Sequence, residues 1–467
     1  MSGIINLSVG IQSAATPRTS FGIPLILDFD NIKAAYGAPS LKMYASLDEM
    51  KADGWKSYHA AFKMAQSLLA QQPRVVKFKV WGMASGGAHT TTTDLDDLLA
   101  VDKDWYLLLS TSRAEQDLLD IAAWAEQASS RCFFVACTND AGAKAAGESV
   151  LSGLFNADSS RTLALYQAAI KQTVRIYVDK LFVSGQTFNC KVNGTAITAV
   201  TWPDAPNDNH NGMMNAIAAA LAGTSALGTC SVGTSPNKPL GVGKYDYIEC
   251  PSEAALVDIL ITDAYFTGGM APRPTARVVE TVASSKPADA ALAGKVLPED
   301  PGSASWAFKT LKGVAPDTLS TAERGYIEAQ RGNWYSTELG FDISYPGTCA
   351  AESSPGTPYF ADQIQLCDAI ESELQTGLME VLNKAKKVPY TDQGVGAFLA
   401  VFKRVEEKYI GSGALVKKSF DASYTVPSVA SQAPSDVSNR IYRGLKANWQ
   451  TSGGINVVAS FAVTLQA

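Results

Sequence analysis

The strongest constraint on the fold is a regular alternation of short apolar runs and amphipathic segments between residues 23 and 166. The apolar runs have the length of strands that are buried on both faces of a sheet, and the intervening segments repeat apolar residues at helical spacing. The predicted strands lie at 23–27, 75–81, 105–110, 131–137 and 161–166, and the predicted helices at 47–71, 115–127 and 145–154. This order predicts an α/β sheet that is covered by helices on both faces.

The rest of the chain has a different character. Residues 173–283 are rich in Thr, Asn, Gly and Val, with short strands around one helix at 212–222, which predicts an inserted β-rich domain. The stretch 284–305 contains Pro, Ala and Gly and is typical of a return linker. Beyond it we predict strands at 306–311 and 415–424, helices at 359–387 and 393–409, and a helix that begins at Ser435 and Asp436.

Both ends of the chain alternate apolar and polar residues with the period of a strand. The apolar positions are Ile5, Leu7, Val9 and Ile11 at the start and Ile455, Val457, Phe461 and Val463 at the end. The N-terminal strand has no nearby hairpin partner and is followed by a polar, Pro-containing linker at 12–20. We therefore expect it to reach beyond its own domain.

These patterns predict a multidomain fold of α/β and α+β class, for which 467 residues are ample since domains average about 100–200 residues. The predicted segments are an N-terminal strand and linker (1–20), an α/β core domain (21–172), an inserted β-rich domain (173–283), a return linker (284–305), a C-terminal α+β domain (306–449) and a C-terminal linker and strand (450–467).

The fraction of charged residues, the net charge and the apolar runs limit the classes of protein to which the chain can belong. Charged residues make up 18% of the chain, against about 25% in typical soluble proteins. We therefore expect partners to cover much of the surface. The net charge of −6 argues against a general nucleic-acid binder. No apolar run is long enough to span a membrane, and no export signal is visible at the N-terminus, so we expect a soluble protein without stable membrane insertion.

Residue patterns typical of catalysis or cofactor binding are missing from the sequence. The histidines His59, His89 and His210 have no second ligand at zinc spacing. The Gly-Lys pair at 243–244 lacks the other residues of a phosphate-binding loop, and the aspartates between 94 and 104 lack the Gly and Glu of a calcium loop. We predict no enzyme activity, no metal and no cofactor; a hydrolase with unconventional carboxylates is an alternative.

The chain has seven cysteines and no Cys-x-x-Cys motif. An odd number cannot all pair within one chain, so buried free thiols are predicted. Cys190, Cys230 and Cys250 all lie in the predicted insertion, where a disulfide within the domain or between subunits stays the alternative.

Short motifs in both the first and the last third of the chain occur in a characteristic order. The first group runs from Ser8 to Leu27 and continues at 44–49, 72–73, 104–106, 121–126, 133–134 and 161–166. The second group lies at 301–309, 332–335, 389–394 and 453–455. In this order the motifs resemble those of the contractile tail sheath proteins of myophages.

Two departures from that family are informative. Family chains without an insertion run from an Arg-Thr-x-x-x-Tyr strand almost directly into a Pro-Gly-Ser-x-x-Trp block, whereas here 167–300 intervene, which supports an extra domain. The family often has Asp-Trp in its long helix, whereas this chain has Leu366, Cys367 and Asp368. Residue roles are therefore less transferable in that helix.

The resemblance implies a structural subunit of a contractile phage tail sheath. Such subunits polymerise as six-fold rings in a helical array around a tail tube, and they contract by rigid-body rearrangement to drive the tube through the host envelope. The implied partners are further copies of the chain, the tail tube protein, and the baseplate and tail terminator proteins. The implied location is the virion, after assembly in the host cytoplasm.

The resemblance also assigns surfaces. Neighbouring subunits would exchange their terminal strands into the sheets of C-terminal domains. We expect the insertion to lie on the outside of the array, where added mass does not obstruct contraction. A helix of the C-terminal domain would face the tube, and Arg440, Arg443 and Lys446 lie at three-residue steps after Ser435, which would place them on one helix face. The alternative for these three residues is a solvated helix face without a tube contact.

The alternative function of the protein is that of a secreted carbohydrate-binding or adhesin protein, suggested by the Thr/Asn/Trp-rich insertion around Trp202.

Overall fold

The structure is a computed structural model of the chain. It describes residues 21–30, 41–56, 59–83, 90–127, 132–170, 172–182, 185–192, 195–201, 210–224, 227–234, 240, 243–251, 259–260, 266–267, 276–283 and 285–456. The N-terminal strand predicted at 5–11 and most of the C-terminal strand predicted at 455–465 lie outside these residues.

The first third of the described chain alternates strands and helices, as predicted. Its strands are β1 (Pro24–Asp28), β2 (Leu41–Tyr44), β3 (Phe78–Gly82), β4 (Leu107–Ser110), β5 (Phe133–Thr138) and β6 (Thr162–Tyr166). Its helices are α1 (Leu47–Ala52), α2 (Ala60–Leu69), α3 (Thr91–Val101), α4 (Glu115–Ala125) and α5 (Val150–Asn156). The single helix predicted at 47–71 is therefore wrong, because Gly54 takes a left-handed conformation (φ 91°) just after α1.

The described residues between 172 and 283 form smaller antiparallel sheets and one helix, α6 (His210–Ala222). The strands are β7 (Gln172–Val178), β8 (Thr187–Phe188), β9 (Lys191–Val192), β10 (Thr195–Ala196), β11 (Val200–Thr201), β12 (Ser231–Gly233), β13 (Tyr247–Pro251), β14 (Ile259–Leu260), β15 (Phe266–Thr267) and β16 (Ala276–Ala283). The largest of these sheets has the order β12-β13-β7-β16. Among the described residues its apolar cluster contains only residues of this region, including Met214 and Ile217 of α6 and Val174 and Ile176 of β7.

The last part of the chain adds the remaining helices and strands. The helices are α7 (Ala288–Val296), α8 (Thr321–Ala329), α9 (Ala361–Lys384), α10 (Asp392–Gly411), α11 (Phe420–Ser423) and α12 (Pro434–Ser438). The strands are β17 (Asn333–Glu338), β18 (Phe341–Tyr345), β19 (Thr348–Ser354), β20 (Thr357–Phe360), β21 (Leu415–Val416), β22 (Tyr424–Thr425), β23 (Lys446–Ala447) and β24 (Gln450–Thr451).

The largest sheet has eight strands in the order β18-β17-β6-β5-β4-β1-β3-β2. The strands from β17 to β3 are parallel, and the two edge strands, β18 and β2, are antiparallel to their neighbours. Each central strand serves two cores, because successive residues face opposite sides of a sheet. Leu107 and Leu109 of β4 pack with residues of α2 and α7, whereas Leu108 packs with residues of α3, α4 and α5. The fold is therefore mixed α/β, with helices on both faces of the main sheet.

The stretch predicted as a return linker at 284–305 contains a core helix instead. All residues of α7 are buried except Lys295, which is half-buried. The helix packs so closely on α2 that a Cβ on Gly294 would lie 2.3 Å from the carbonyl oxygen of Leu68. The Ala- and Gly-rich composition that is typical of a linker serves here to let two helices approach each other.

The structure differs from two further predictions where the last part of the chain meets the main sheet. Residues 306–311 do not form the predicted strand, because Phe308 takes a left-handed conformation (φ 58°) that interrupts an extended chain. Phe308 N and Lys309 O still bond to Ser344 of β18, at 2.6 and 3.1 Å. Strands β17 and β18 belong to the eight-stranded sheet, so the region predicted as a separate C-terminal domain contributes two strands to the core.

Candidate inter-subunit surface

The C-terminal part of the chain is built on the pair of long helices α9 and α10. Leu374 and Leu378 of α9 pack against Val401, Val405 and other apolar residues of α10 and the strands that follow. The helices cross closely at Gly377, where an added Cβ would lie 2.5 Å from a methyl group of Val401. This pair is the platform for the exposed elements described below.

A buried ion pair joins α9 to the main sheet. Both guanidinium Nη atoms of Arg161 lie 2.7 Å from the carboxylate oxygens of Asp368, and these side chains are only 4% and 3% exposed. The Tyr106 hydroxyl, next to β4, donates to the same carboxylate at 2.8 Å. Burial raises the pKa of Tyr106 well above its usual value, and the negative charge of Asp368 adds to the effect. Burial alone would lower the pKa of Arg161, but Asp368 raises it.

The N-terminal chain enters the described structure beside this ion pair. The ring of Phe21 lies 4.5 Å from the ring of Tyr106, centroid to centroid, and packs against both the main core and the α9–α10 cluster. Asp368 is one of the positions at which the sequence departs from the sheath family. The structure shows that it bridges two elements, which sequence reasoning did not detect.

Two short antiparallel strand pairs follow α10. Strand β21 pairs with β24, with Leu415 opposite Thr451, and β22 pairs with β23, with Tyr424 opposite Ala447. The strand predicted at 415–424 is therefore two strands separated by α11. Within the described residues neither pair has a third strand. We call β21–β24 and β22–β23 the C-terminal strand pairs.

Aromatic packing supports the C-terminal strand pairs on one side. The indole of Trp449 packs edge-on against Phe402 of α10 and Tyr424 of β22, at 6.2 and 6.3 Å between ring centroids. Val416 and Phe420 remain 43% and 48% exposed. Two-stranded ribbons are marginally stable alone, and unpaired strand edges recruit further strands. Among the described residues, the outer edges of both pairs are therefore without a hydrogen-bonded strand.

The basic residues Arg440, Arg443 and Lys446 are not on one helix, so the structural basis of their predicted common face is wrong. Helix α12 ends at Ser438, and Arg440 takes a left-handed conformation (φ 59°), which is incompatible with a continuing helix. Lys446 lies in β23. All three side chains are nevertheless exposed. Their contact with a tube stays a prediction.

The segment that carries these residues is held by local hydrogen bonds rather than by burial. The Arg443 backbone N–H donates to the Gln432 side chain at 3.0 Å, and the Gln432 amide donates back to the Arg443 carbonyl at 3.0 Å. The Tyr390 hydroxyl, between α9 and α10, donates to the Ile441 carbonyl at 2.8 Å. The segment is thus an ordered, exposed loop of 426–445 that rests on the helix pair.

The residues predicted for strand exchange have different outcomes. Ile5, Leu7, Val9, Ile11, Val457, Phe461 and Val463 lie outside the described residues. Ile455 is described, is not in a strand and is 86% exposed. The C-terminal linker predicted from residue 450 starts later, because Gln450 and Thr451 form β24 and the Ser452 N–H donates to the Ala414 carbonyl at 2.9 Å.

The turn between β17 and β18 is a second exposed apolar feature. Leu339 and Gly340 both have positive φ angles, of 50° and 86°, as a two-residue hairpin turn requires. Leu339 is 92% exposed and the following Phe341 is 71% exposed. Sequence reasoning did not single out this hairpin, whose Leu-Gly turn is a weak signal beside Asn-Gly.

The described residues show neither a metal cluster nor a membrane helix. No group of three or more His, Cys, Asp or Glu side chains is placed to hold a metal ion in the described part of the chain. Among the described helices none is long and apolar enough to cross a membrane. All seven cysteines are free thiols; five are buried, whereas Cys230 and Cys367, which the sequence also predicts to be buried, are half-buried.

The architecture is therefore a mixed α/β fold, and among the described residues the C-terminal strand pairs have no third strand. Solved structures of contractile assemblies have a similar fold. The anti-feeding prophage (AFP) baseplate contains a chain with a TM-score of 0.53 and 10% identity, with 100% of this chain and 99% of that chain covered. The contracted AFP helical sheath gives 0.51 and 11%, with 100% and 97% covered. The contracted PVC sheath complex of an extracellular contractile injection system gives 0.51 and 9%, with 100% and 96% covered.

These similarities are similarities of fold. No protein-family model matches the sequence, and no curated protein is detectably similar to it. The chain thus has the fold of subunits found in contractile injection system sheath and baseplate structures, as the resemblance in its sequence motifs implies.

Proposed function

We propose that the protein is the structural subunit of a contractile sheath of phage-tail type, polymerising as six-fold rings in a helical array around a tail tube. The observation that carries the proposal is the fold match, which extends over the whole of this chain and nearly the whole of each chain matched in the contractile assemblies. An open array of this kind requires heterologous contacts that do not close on themselves. The remaining features of the chain are consistent with such contacts.

The C-terminal strand pairs are the proposed acceptors of strands from neighbouring copies. Their edges are unpaired among the described residues, and backbone bonding to an added strand satisfies them without sequence complementarity. The donors are the terminal segments with alternating apolar residues, 5–11 and 455–463. Ile455, beyond β24, is exposed, and the Asn456 side chain still donates to the Pro346 carbonyl of the same subunit at 3.1 Å, so in this proposal the chain leaves its subunit after residue 456.

The buried ion pair has a mechanical role in this proposal. A donated N-terminal strand would pull on the chain at Phe21, which packs on Tyr106 beside Arg161 and Asp368. A bidentate, desolvated pair resists separation of α9 from the main sheet, because either charge left alone in the interior is strongly unfavourable. The sheet and α9 would then rotate as one body while residues 12–20 and those after Ser452 absorb the change.

Contraction in this proposal needs no nucleotide. The extended array is a kinetically trapped assembly that relaxes to a lower free energy when released, with strand pairing kept and domain faces exchanged. The sequence has no phosphate-binding loop, which is consistent with a stored-energy mechanism and with a structural rather than an enzymatic protein.

Two surfaces are assigned to other parts of the assembly. We propose that the exposed loop of 426–445 faces the tube, where Arg440, Arg443 and the adjoining Lys446 make weak, solvent-accessible charge contacts that allow release. The region of 173–283 has its own core and lies, in this proposal, on the outside of the array. The tail tube, baseplate and tail terminator proteins are the proposed partners, and the virion is the proposed location after assembly in the host cytoplasm.

Electron microscopy of the purified full-length protein tests the function. We expect tubes or six-fold rings at high protein concentration, whereas a strictly monomeric protein would contradict the proposal.

Strand exchange is tested with two double variants of the same segment. Leu7→Asp with Val9→Asp places charges on the apolar face and should abolish tubes. Asn6→Asp with Ser8→Asp places them on the opposite face of a period-two strand and should preserve tubes.

The outcomes separate the parts of the proposal. If wild type forms tubes and both double variants do as well, the sheath function stands and N-terminal strand exchange is wrong. Rings that never extend into tubes would place the subunit at a baseplate, which one of the matched structures contains. A protein that stays monomeric and binds glycans would support the alternative of a secreted carbohydrate-binding or adhesin protein.

A further inference from the structure

Three cysteine thiols meet in the core of the region of 172–283. Cys190 and Cys250 have no exposed surface, and both belong to the apolar cluster of this region. Cys230 is only half-buried and packs at the margin of the same cluster. Its Sγ lies 3.6 Å from the carbonyl oxygen of Gly228. Cys230 is therefore the least buried of the three cysteines.

The strand register places Cys230 and Cys250 opposite each other. Ser231 of β12 pairs with Glu249 of β13, and the same register continued by one residue before the start of β12 brings Cys230 opposite Cys250. Beyond them the Gly228 N–H donates to the Pro251 carbonyl at 2.8 Å, so the two chains stay together past the cysteines. Directly opposed residues of antiparallel strands have Cα atoms about 4.5–5.5 Å apart, within the range of about 4.4–6.8 Å that a disulfide spans.

We propose that Cys230 and Cys250 are a latent disulfide pair, reduced in the structure and closed by exchange with a low-molecular-weight disulfide when the protein meets an oxidising medium. The inference does not depend on the proposed function. Strand β12 is the edge of the four-stranded sheet, so the closed bond fastens this edge to β13. Strand β12 has three residues, and the disulfide would add a covalent link to its hydrogen bonds with β13.

The exchange proceeds in two balanced steps. Cys230 loses its proton and attacks one sulfur of the small disulfide, which forms a mixed disulfide and releases one small thiol. Cys250 then loses its proton and attacks the Cys230 sulfur, which closes the protein disulfide and releases the second small thiol. Two protein thiols are oxidised, the small disulfide gains two electrons, and the two protons end on the released thiols.

The order of the steps follows from exposure and hydrogen bonding. Cys230 is the least buried of the three cysteines, so it reacts first. In the reduced protein the hydrogen bond with Cys230 and burial both raise the pKa of the Cys250 thiol, and the effect of burial remains once Cys230 carries the mixed disulfide. Because only the thiolate attacks, the closing step is slow near neutral pH, and its rate rises about tenfold per pH unit.

Peptide mapping of the full-length protein tests the pair. The reduced, folded protein is incubated with glutathione disulfide, the remaining thiols are alkylated, and linked peptides are identified by mass spectrometry. We expect a Cys230–Cys250 link in wild type, with a protein mass lower by two hydrogens. Cys250→Ser should stop at a mixed disulfide on Cys230, and Cys230→Ser should give neither product. Cys367→Ser, which removes the other half-buried thiol, should leave the link intact.

Several results would overturn the inference. All of them can be measured on the wild-type protein, so the test does not depend on the folding of a variant. They are the absence of the link after equilibration, a link between Cys190 and Cys250 instead, or a link that forms only in denaturant. A closing rate that does not increase with pH would also contradict the buried, resolving role of Cys250.

Discussion

Removing the charge of Asp368 should loosen α9 from the main sheet far more than removing any surface charge of the same helix. In Asp368→Asn the Arg161 guanidinium loses both charged contacts of 2.7 Å and stays in a site where the two side chains are 4% and 3% exposed. Breaking a buried pair by removing one partner costs about 3–5 kcal/mol. The matched control is Glu380→Gln on α9, whose pair with Lys384 is exposed and is worth about 0–1 kcal/mol.

The assay is amide hydrogen exchange of α9 in the full-length protein, combined with urea unfolding. A loss of about 3–5 kcal/mol accelerates exchange through opening of α9 by about a hundredfold to several thousandfold, at about 1.4 kcal/mol per tenfold. Tyr106→Phe removes one hydrogen bond to the carboxylate and should cost about 1.5–3 kcal/mol. Joint replacement of Arg161 by Met and Asp368 by Leu removes both charges and should recover most of the loss.

The reasoning fails if Asp368→Asn exchanges and unfolds like Glu380→Gln. It also fails if the apolar double variant is as unstable as the single one, because the loss would then not arise from an unpaired buried charge. Either result would remove the mechanical role that the proposed function gives to this ion pair.

Three further perturbations have expected outcomes. Gly294→Ala should destabilise the core by about 1–3 kcal/mol in urea unfolding, since its Cβ would lie 2.3 Å from a backbone oxygen of α2. The control Gly325→Ala lies on exposed α8, where a Cβ has free space, and should stabilise by about 0.5–1 kcal/mol. Equal effects of the two substitutions would contradict the packing of α7. Gly377→Ala should likewise weaken the α9–α10 crossing, measured by hydrogen exchange, while Gly396→Ala should not. Burial lowers the pKa of Lys63 to about 8, so between about pH 8 and 10.4 the unfolded chain binds more protons than the folded protein. The free energy of unfolding should therefore rise with pH across that window by about 1–3 kcal/mol. Lys63→Met should abolish that part of the rise in thermal unfolding, and an unchanged slope would refute the assignment.

The main sheet was predictable because its central strands are buried on both faces. Strands such as β4 and β5 are continuous apolar runs, and this signal survives without any knowledge of tertiary structure. Helix α7, in contrast, was not predictable from the sequence, although it too is buried. It is buried on nearly every side and built mainly of small residues, so it has neither a polar face nor a helical period.

The candidate site shows the limits of local pattern more sharply. The three-residue spacing of Arg440, Arg443 and Lys446 is a helical pattern, but the left-handed conformation at Arg440 ends the helix before the pattern begins. Arg161 and Asp368 are 207 positions apart, and a single sequence carries no signal that they meet. The C-terminal strand pairs are two residues per strand, too short for a period-two pattern to register.

The central claim is that copies of this chain assemble by adding terminal strands to the C-terminal strand pairs. A cryo-electron microscopy helical reconstruction of tubes of the wild-type protein tests it most directly, at a resolution that separates strands. The account predicts that β21–β24 and β22–β23 become parts of a larger sheet, with added strands traced to residues 5–11 and 455–463 of neighbouring copies. Tubes in which the edges of both pairs face solvent, with each terminal segment folded on its own subunit, would contradict it.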